Sequence, residues 1–168
     1  MNNVLIISTM TTPIGDLTIV TSKEHVLICE FTDHDDRVAK QLGRFYNGAT
    51  IKKSAPPNSI TTSIHAYLSG HTDALNTIKT KPMGTEYEQK IWERLREIPA
   101  GTTTNYGAIA SELNSSARAV GRANGRNPIA LIHPCHRVIG ADGSLTGYAG
   151  GLNRKEWLLQ HEGALLPL

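Results

Sequence analysis

The residues best suited to chemistry lie in Asn127-Pro128-Ile129-Ala130-Leu131-Ile132-His133-Pro134-Cys135-His136-Arg137-Val138-Ile139-Gly140. A lone cysteine flanked by proline, histidine and arginine is poorly placed for a core thiol. Pro134 suits the first position of a helical turn, which would set Cys135 near an amide-rich helix N-terminus. Such ends, and nearby cations, lower a thiol's pKa from its free value of ~8.5 toward neutrality. His136 is then its candidate base, acting directly or through one water. A base of this kind needs a carboxylate to hold its ring and tautomer, and Glu162 is the candidate. The spacing predicts a helix over 154–162, capped by Asn153 and Glu156 and stopped by Gly163. A carboxylate in a last turn opposes the helix macrodipole by roughly 0.3–1 kcal/mol. Glu162 therefore either partners a cation or histidine, or is a tolerated surface residue. Cys29, inside Leu27-Ile28-Cys29, reads as a buried, inert core thiol.

A second feature is a helix almost without bulk. Residues 105–113 predict one short helix, Asn114-Ser115 a turn, and residues 116–125 a second helix, together resembling a helix-turn-helix. In the second helix Ala117, Ala119, Gly121 and Ala123 leave little side chain, and an interior glycine costs ~1 kcal/mol against alanine. Two explanations stay open. One is close packing against a core. The other is insertion into a DNA minor groove, about 6 Å wide, that an ordinary helix could not enter. Arg118 and Arg122, one turn apart, would then reach phosphates or the base stack.

These elements need a scaffold. With 168 residues, 39% of them hydrophobic, the chain can bury one core or two small ones. Residues 1–80 read as a small α/β unit. Strands are expected over 4–8, 17–21 and 26–31, a turn at Pro13-Ile14-Gly15-Asp16, and helices over 35–46 and 59–68. Residues 81–168 read as mainly helical, opening after the linker 79–84 with a T-x-x-E capping box at Thr85 and Glu88. That first helix should turn Tyr87, Ile91, Trp92, Leu95 and Ile98 inward. The net charge of +2 does not announce a polyanion partner, but residues 101–155 carry Arg118, Arg122, Arg126, Arg137, Arg154 and Lys155 against only Glu112 and Asp142. That local excess marks where DNA would sit, unless it is merely a solvated face. Two cysteines make no disulfide framework, and a thiol-keeping, cytoplasmic setting is expected. Scattered histidines show no zinc spacing, and no apolar run approaches the ~20 residues of a membrane span. No metal, cofactor or membrane partner is expected.

The motifs Ile98-Pro99-Ala100-Gly101, Arg118-Ala119-Val120-Gly121, Ala123-Asn124-Gly125, Asn127-Pro128-Ile129, Pro134-Cys135-His136-Arg137-Val138-Ile139-Gly140, Gly147-Tyr148-Ala149-Gly150-Gly151-Leu152 and Arg154-Lys155-Glu156-Trp157-Leu158-Leu159 occur in this order. Together they resemble the O6-alkylguanine-DNA alkyltransferases, most nearly the bacterial Ogt type. The resemblance implies an α+β, two-domain fold: a ribonuclease H-like α/β domain, then a mostly helical domain with a winged helix-turn-helix. It implies suicide transfer of the alkyl group from O6-alkylguanine in double-stranded DNA, with O4-alkylthymine a further candidate; a monomer with no stable protein partner is expected. In that scheme Cys135 is the acceptor, ionised through a water, His136 and Glu162. Asn127 holds the turn between the DNA-reading helix and the active-site strand, and Arg118 replaces the extruded guanine. Tyr106 protonates the leaving base, while Val138, Tyr148 and Ala149 line the pocket. Ala117, Ala119, Gly121 and Arg122 belong to the DNA-facing helix. His133 departs from the pattern, standing where an apolar residue is common. A lesion-sensing DNA binder without alkyl transfer, a cysteine hydrolase and a sequence-specific regulator are the competing readings.

Overall fold

Short apolar runs in the first third of the chain form β1 (Val4–Met10), β2 (Leu17–Ser22) and β3 (His25–Phe31). The computed structural model, which describes residues 3–166, is mixed α/β with six α-helices. Its residues fall into two compact units, one reaching Met83 and including Pro128–Ile132, the other made of Gly84–Asn127 and the chain from His133 on.

In the first unit β1, β2 and β3 are antiparallel neighbours, and β4 (Thr50–Lys53) adds in parallel to β1, giving the order β3-β2-β1-β4. β4 has no sequence signature: all four residues are exposed, and its lysines suit an edge that must not recruit another chain. β3 stands at the other end of the sheet yet is buried along its length. Its outer edge is covered: Val26 bridges to Thr80, and the Cys29 backbone exchanges hydrogen bonds with Pro128 and Ala130. This pairing draws Pro128–Ile132, expected with the second half, into the first unit. Leu5, Val20, Leu27, Ile28 and Val38 form a core beneath α1 (Asp35–Phe45), and α2 (Asn58–Leu68) buries Ile60, Ile64 and Tyr67. Cys29 is fully buried, and burial pushes its thiol pKa far up, so it is inert. Leu131 has φ +72°, where non-glycine residues are rare, closing a three-residue turn from Ile132 N–H to the Ala130 carbonyl (2.8 Å).

The second unit opens with α3 (Glu86–Arg96), capped by the expected box: the Thr85 hydroxyl accepts from Glu88 N–H and the Glu88 carboxylate from Thr85 N–H. Gly84 must be glycine, because a Cβ there would stand 2.4 Å from the Trp92 ring. Ile91, Trp92, Leu95 and Ile98 are buried as expected, while Tyr87 is half-buried and its hydroxyl meets Ser115 Oγ at 2.7 Å. After β5 (Thr104–Asn105) come α4 (Tyr106–Glu112) and α5 (Ala117–Gly125). Asn114, at φ +56°, makes their short turn possible by letting Ser115 N–H return to the Ala110 carbonyl. Asn105 and Ser116 cap the two helices with their side chains. The Trp92 indole donates to the Ala123 carbonyl at 2.8 Å and so ties α3 to α5. The last helix, α6 (Leu152–His161), differs from expectation at both ends. Gly151, at φ +98°, is its N-cap, so Asn153 lies inside the first turn and caps nothing, and Glu162 is the residue just past the last turn.

Candidate active site

Cys135, His136 and Arg137 form a single 3₁₀ turn that runs into β6 (Val138–Ile139). β6 pairs in parallel with β5, matching Thr104 to Val138 and Asn105 to Ile139. That register brings the cysteine turn beside the start of α4 and hence beside Tyr106. Cys135 is the first residue of this short turn, and Pro134 is its N-cap rather than its first position. Pro134 instead closes a three-residue turn (φ −77°, ψ 63°) in which Cys135 N–H donates to the His133 carbonyl at 2.7 Å. The Cys135 amide is therefore engaged by the His133 carbonyl.

Glu162 is no surface residue. Its side chain is fully buried, and its carboxylate accepts from His136 Nε2 (3.0 Å) and from Arg137 through Nε (2.9 Å) and Nη2 (2.7 Å). Arg137 also donates to the Ile98 carbonyl at 2.6 Å. Burial opposes ionisation of Glu162, but His136 and Arg137 outweigh it and hold the carboxyl well below the usual range. His136 is itself completely buried, and burial lowers its pKa against the pull of Glu162, with Arg137 and Lys155 pushing the same way as burial. The ring is thus neutral. With a carboxylate on Nε2 the proton sits there, and Nδ1 keeps its lone pair; that nitrogen meets no hydrogen-bonding protein group among the described residues. A neutral imidazole held in one tautomer by a carboxylate, one residue from a thiol, has the chemistry to act as a general base.

Around this core stand groups that the sequence reading named and others that it did not. The Tyr106 hydroxyl donates to the Thr146 carbonyl at 3.2 Å and also neighbours Asn124 and Cys135. Asn124, part of a motif but given no role in the sequence reading, is buried and donates to the Cys135 carbonyl at 3.3 Å, linking α5 to the cysteine turn. Asn127 is buried, its amide donating to the His133 carbonyl (3.0 Å) and its oxygen lying 3.1 Å from His133 Nδ1. His133 therefore packs against Asn127 rather than approaching as a second base, and burial, with Arg96, lowers its pKa to about 3. Val138 is buried, Tyr148 sets its ring edge-on to His136 (6.4 Å between centroids), and Ala149 is half-buried.

The basic segment shrinks on inspection. Arg137 is 5% exposed and Lys155 0%, so two of the cations expected to meet a polyanion face inward. Lys155 shares a buried stripe of α6 with Leu158, Leu159 and, one turn on, Glu162; that i, i+3, i+4, i+7 spacing was the signal available. Arg118, Arg122 and Arg126 remain exposed, all on α5 or just after it, with Arg126 reaching Glu88 at 3.8 Å. Val120, Ala123 and Asn124 form the inner face of α5, while Ala117 and Arg118 are exposed and Ala119 and Gly121 half-exposed. A Cβ on Gly121 would only touch the Tyr106 ring at 3.8 Å, so internal packing does not require glycine there.

Among the described residues no group of three or more His, Cys, Asp or Glu side chains could hold a metal ion, and no helix is long and apolar enough to cross a membrane. Residues 86–164 match the family described as 6-O-methylguanine DNA methyltransferase, DNA binding domain. A methylated-DNA--protein-cysteine methyltransferase of Salmonella typhimurium is 41% identical over 160 residues, covering 92% of this chain and 94% of that protein. The crystal structure of Mycobacterium tuberculosis O6-methylguanine methyltransferase superposes with a TM-score of 0.77 at 35% identity, over 97% of this chain and 95% of that one. The structure of M. tuberculosis OGT in complex with DNA gives a TM-score of 0.78 at 38% identity, covering 94% and 92%.

Proposed function

This chain belongs to the methylated-DNA--protein-cysteine methyltransferase family, and from that premise we propose that it repairs double-stranded DNA by moving the alkyl group of O6-alkylguanine onto Cys135. The observation that carries this assignment of the site is the buried His136–Glu162 pair one residue after the thiol. His136 Nδ1 takes the Cys135 proton, directly or through one water. The thiolate then attacks the alkyl carbon, the S–C bond forms, the C–O bond breaks, and the electron pair stays on guanine. Tyr106 supplies the proton that turns the departing base into neutral guanine and regains it from solvent. A thioether has no easy leaving group, so each molecule acts once.

The target atom is hidden inside a duplex, so the nucleotide must leave the stack at a few kcal/mol. We assign α4, its turn and α5 to a winged helix-turn-helix whose α5 enters the minor groove with Ala117, Ala119 and Gly121 leading. The ordinary spacing around Gly121 supports this, because something other than packing must favour so slim a helix. Arg118 fills the space of the extruded base and Arg122 contacts phosphate. Asn127 holds the turn after α5 through His133, and Val138, Tyr148 and Ala149 line the guanine pocket. The first unit is read as a ribonuclease H-like domain, the protein as a cytoplasmic monomer. Mixing the protein with excess duplex carrying labelled O6-methylguanine tests the reading: one methyl per chain, with no further turnover, is expected. Continued turnover, or none in duplex DNA, refutes it.

A further inference from the structure

Lys155 is a fully buried ammonium on α6. Nζ donates to the Val138 carbonyl at 2.6 Å and to the Thr146 carbonyl at 2.7 Å, and among the described residues no carboxylate pairs with it. A buried cation without a counter-ion is expensive and is ordinarily removed or paired. The neighbouring charges show what is missing. Glu162 and Arg137 cancel, and His136 is neutral. One positive charge is left over. Lys155 and Cys135 lie within electrostatic reach of each other, and the Lys155 charge is felt at His136 as well. A thiolate at Cys135 would make this buried group neutral overall; a thiol leaves it charged.

The two carbonyls matter in their own right. Val138 follows the cysteine turn directly, and the Thr146 carbonyl also accepts from the Tyr106 hydroxyl. Lys155 thus clamps both ends of the loop from Ile139 to Leu145 and shares an acceptor with Tyr106.

We propose that Lys155 is a positioning residue for alkyl transfer, whose buried ammonium fixes the Val138–Thr146 wall and supplies the positive charge that stabilises the Cys135 thiolate. This rests on Cys135 being the acceptor. Burial lowers the Lys155 pKa to about 8, with a charged Cys135 opposing that, so the lysine is largely protonated at neutral pH. Tyr106 from α4 and Lys155 from α6 couple electrostatically to Cys135, and His136 and Arg137 from its own turn share the buried Glu162 carboxylate at the end of α6. Among these named groups Lys155 alone carries a charge that no opposite charge balances.

The test reads Cys135 itself, without DNA. Carboxamidomethylation of Cys135 by iodoacetamide, followed by peptide mass across pH 5–10, should give a midpoint roughly one pH unit or more higher in Lys155→Gln than in wild type. Lys155→Arg should stay near wild type. Transfer from O6-methylguanine duplex should fall about tenfold at pH 7 in Lys155→Gln and recover at high pH, where base makes the thiolate unaided. An unmoved midpoint in a folded Lys155→Gln overturns the proposal even if transfer slows, since a wall role alone would not shift ionisation. If that variant does not fold, NMR of ¹³Cε-lysine in the wild type decides. Methylating Cys135 should lower the Lys155 titration midpoint, and an unchanged midpoint refutes the idea. Failure of the acceptor assignment is separately visible, as methyl mass on a peptide other than that of Cys135.

Discussion

Replacing Glu162 by glutamine changes one atom and keeps the shape, yet three donors converge on the carboxylate: His136 Nε2, Arg137 Nε and Arg137 Nη2. An amide must point its NH₂ at one of the two sites. Placed at the Oε1 position it faces Arg137 Nε–H; placed at Oε2 it faces both Arg137 Nη2 and His136. Either way a hydrogen bond to a charged group is lost, worth ~1.5–3 kcal/mol, and buried Arg137 loses its counter-charge, which in comparable pairs costs about 3–5 kcal/mol. The opposing gain, relief of a carboxylate at a helix C-terminus, is only ~0.3–1 kcal/mol. The buried pair wins, and a net destabilisation of about 3 kcal/mol is expected, or roughly 6–12 °C in Tm for a chain of this size. Because the folded-state pKa of Glu162 is depressed, its contribution is present above the unfolded value of ~4.3 and fades as pH falls toward the folded one. The gap between variant and wild type should therefore narrow below about pH 4. Alkyl transfer at neutral pH should drop by about 100-fold or more, since the His136 tautomer is no longer fixed. Urea melts at pH 7 and 3.5, with single-turnover transfer under conditions where both proteins are folded, measure these effects. A normal transfer rate in the folded variant would show that Glu162 only supports structure, and unchanged stability would refute the electrostatic bookkeeping.

Two further outcomes follow from the same geometry. Arg118→Ala, an exposed position, should leave stability within ~0.5 kcal/mol but slow repair of duplex DNA by roughly tenfold or more relative to dealkylation of free O6-benzylguanine; equal losses on both substrates would mean that Arg118 takes no part in base extrusion. His133 is held neutral, with a folded pKa of about 3, so its fold-stabilising effect is full above ~6.5 and declines as pH falls through that window. The stability advantage of wild type over His133→Leu should shrink by about 1.4 kcal/mol per pH unit between pH 6 and 4, and a constant gap in urea melts would refute the assignment.

How far the sequence carried these conclusions depended on the kind of signal. Short apolar runs bounded by turn residues located β1, β2 and β3, and helical spacing located α3, because their apolar side chains have no other place to go. β4 escaped, since an exposed Thr-Ile-Lys-Lys strand owes its place to backbone pairing with β1. The Cys135 neighbourhood was legible as chemistry, and His136 and Glu162 meet as expected, but Pro134 stands one place earlier than expected, as the N-cap of a single 3₁₀ turn and the centre of a three-residue turn that engages the Cys135 amide. Lys155 and Arg137 were counted as surface cations because charge is normally solvated; each is inward because it has specific acceptors, two carbonyls for one and Glu162 for the other. Pairings of that kind join residues far apart in the chain, and local pattern holds no trace of them. Glu162 was the exception, its awkward place at the end of α6 hinting at a partner before the partner was visible.

The central claim is that Cys135 receives the alkyl group, and peptide mapping after incubation with O6-methylguanine duplex tests it most directly. The peptide containing Cys135 should gain about 14 Da, one methyl in place of hydrogen, while the Cys29 peptide stays unmodified, as its deep burial and raised pKa require. Cys135→Ala should accept nothing. Methyl mass on Cys29, or repair surviving in Cys135→Ala, would contradict the account.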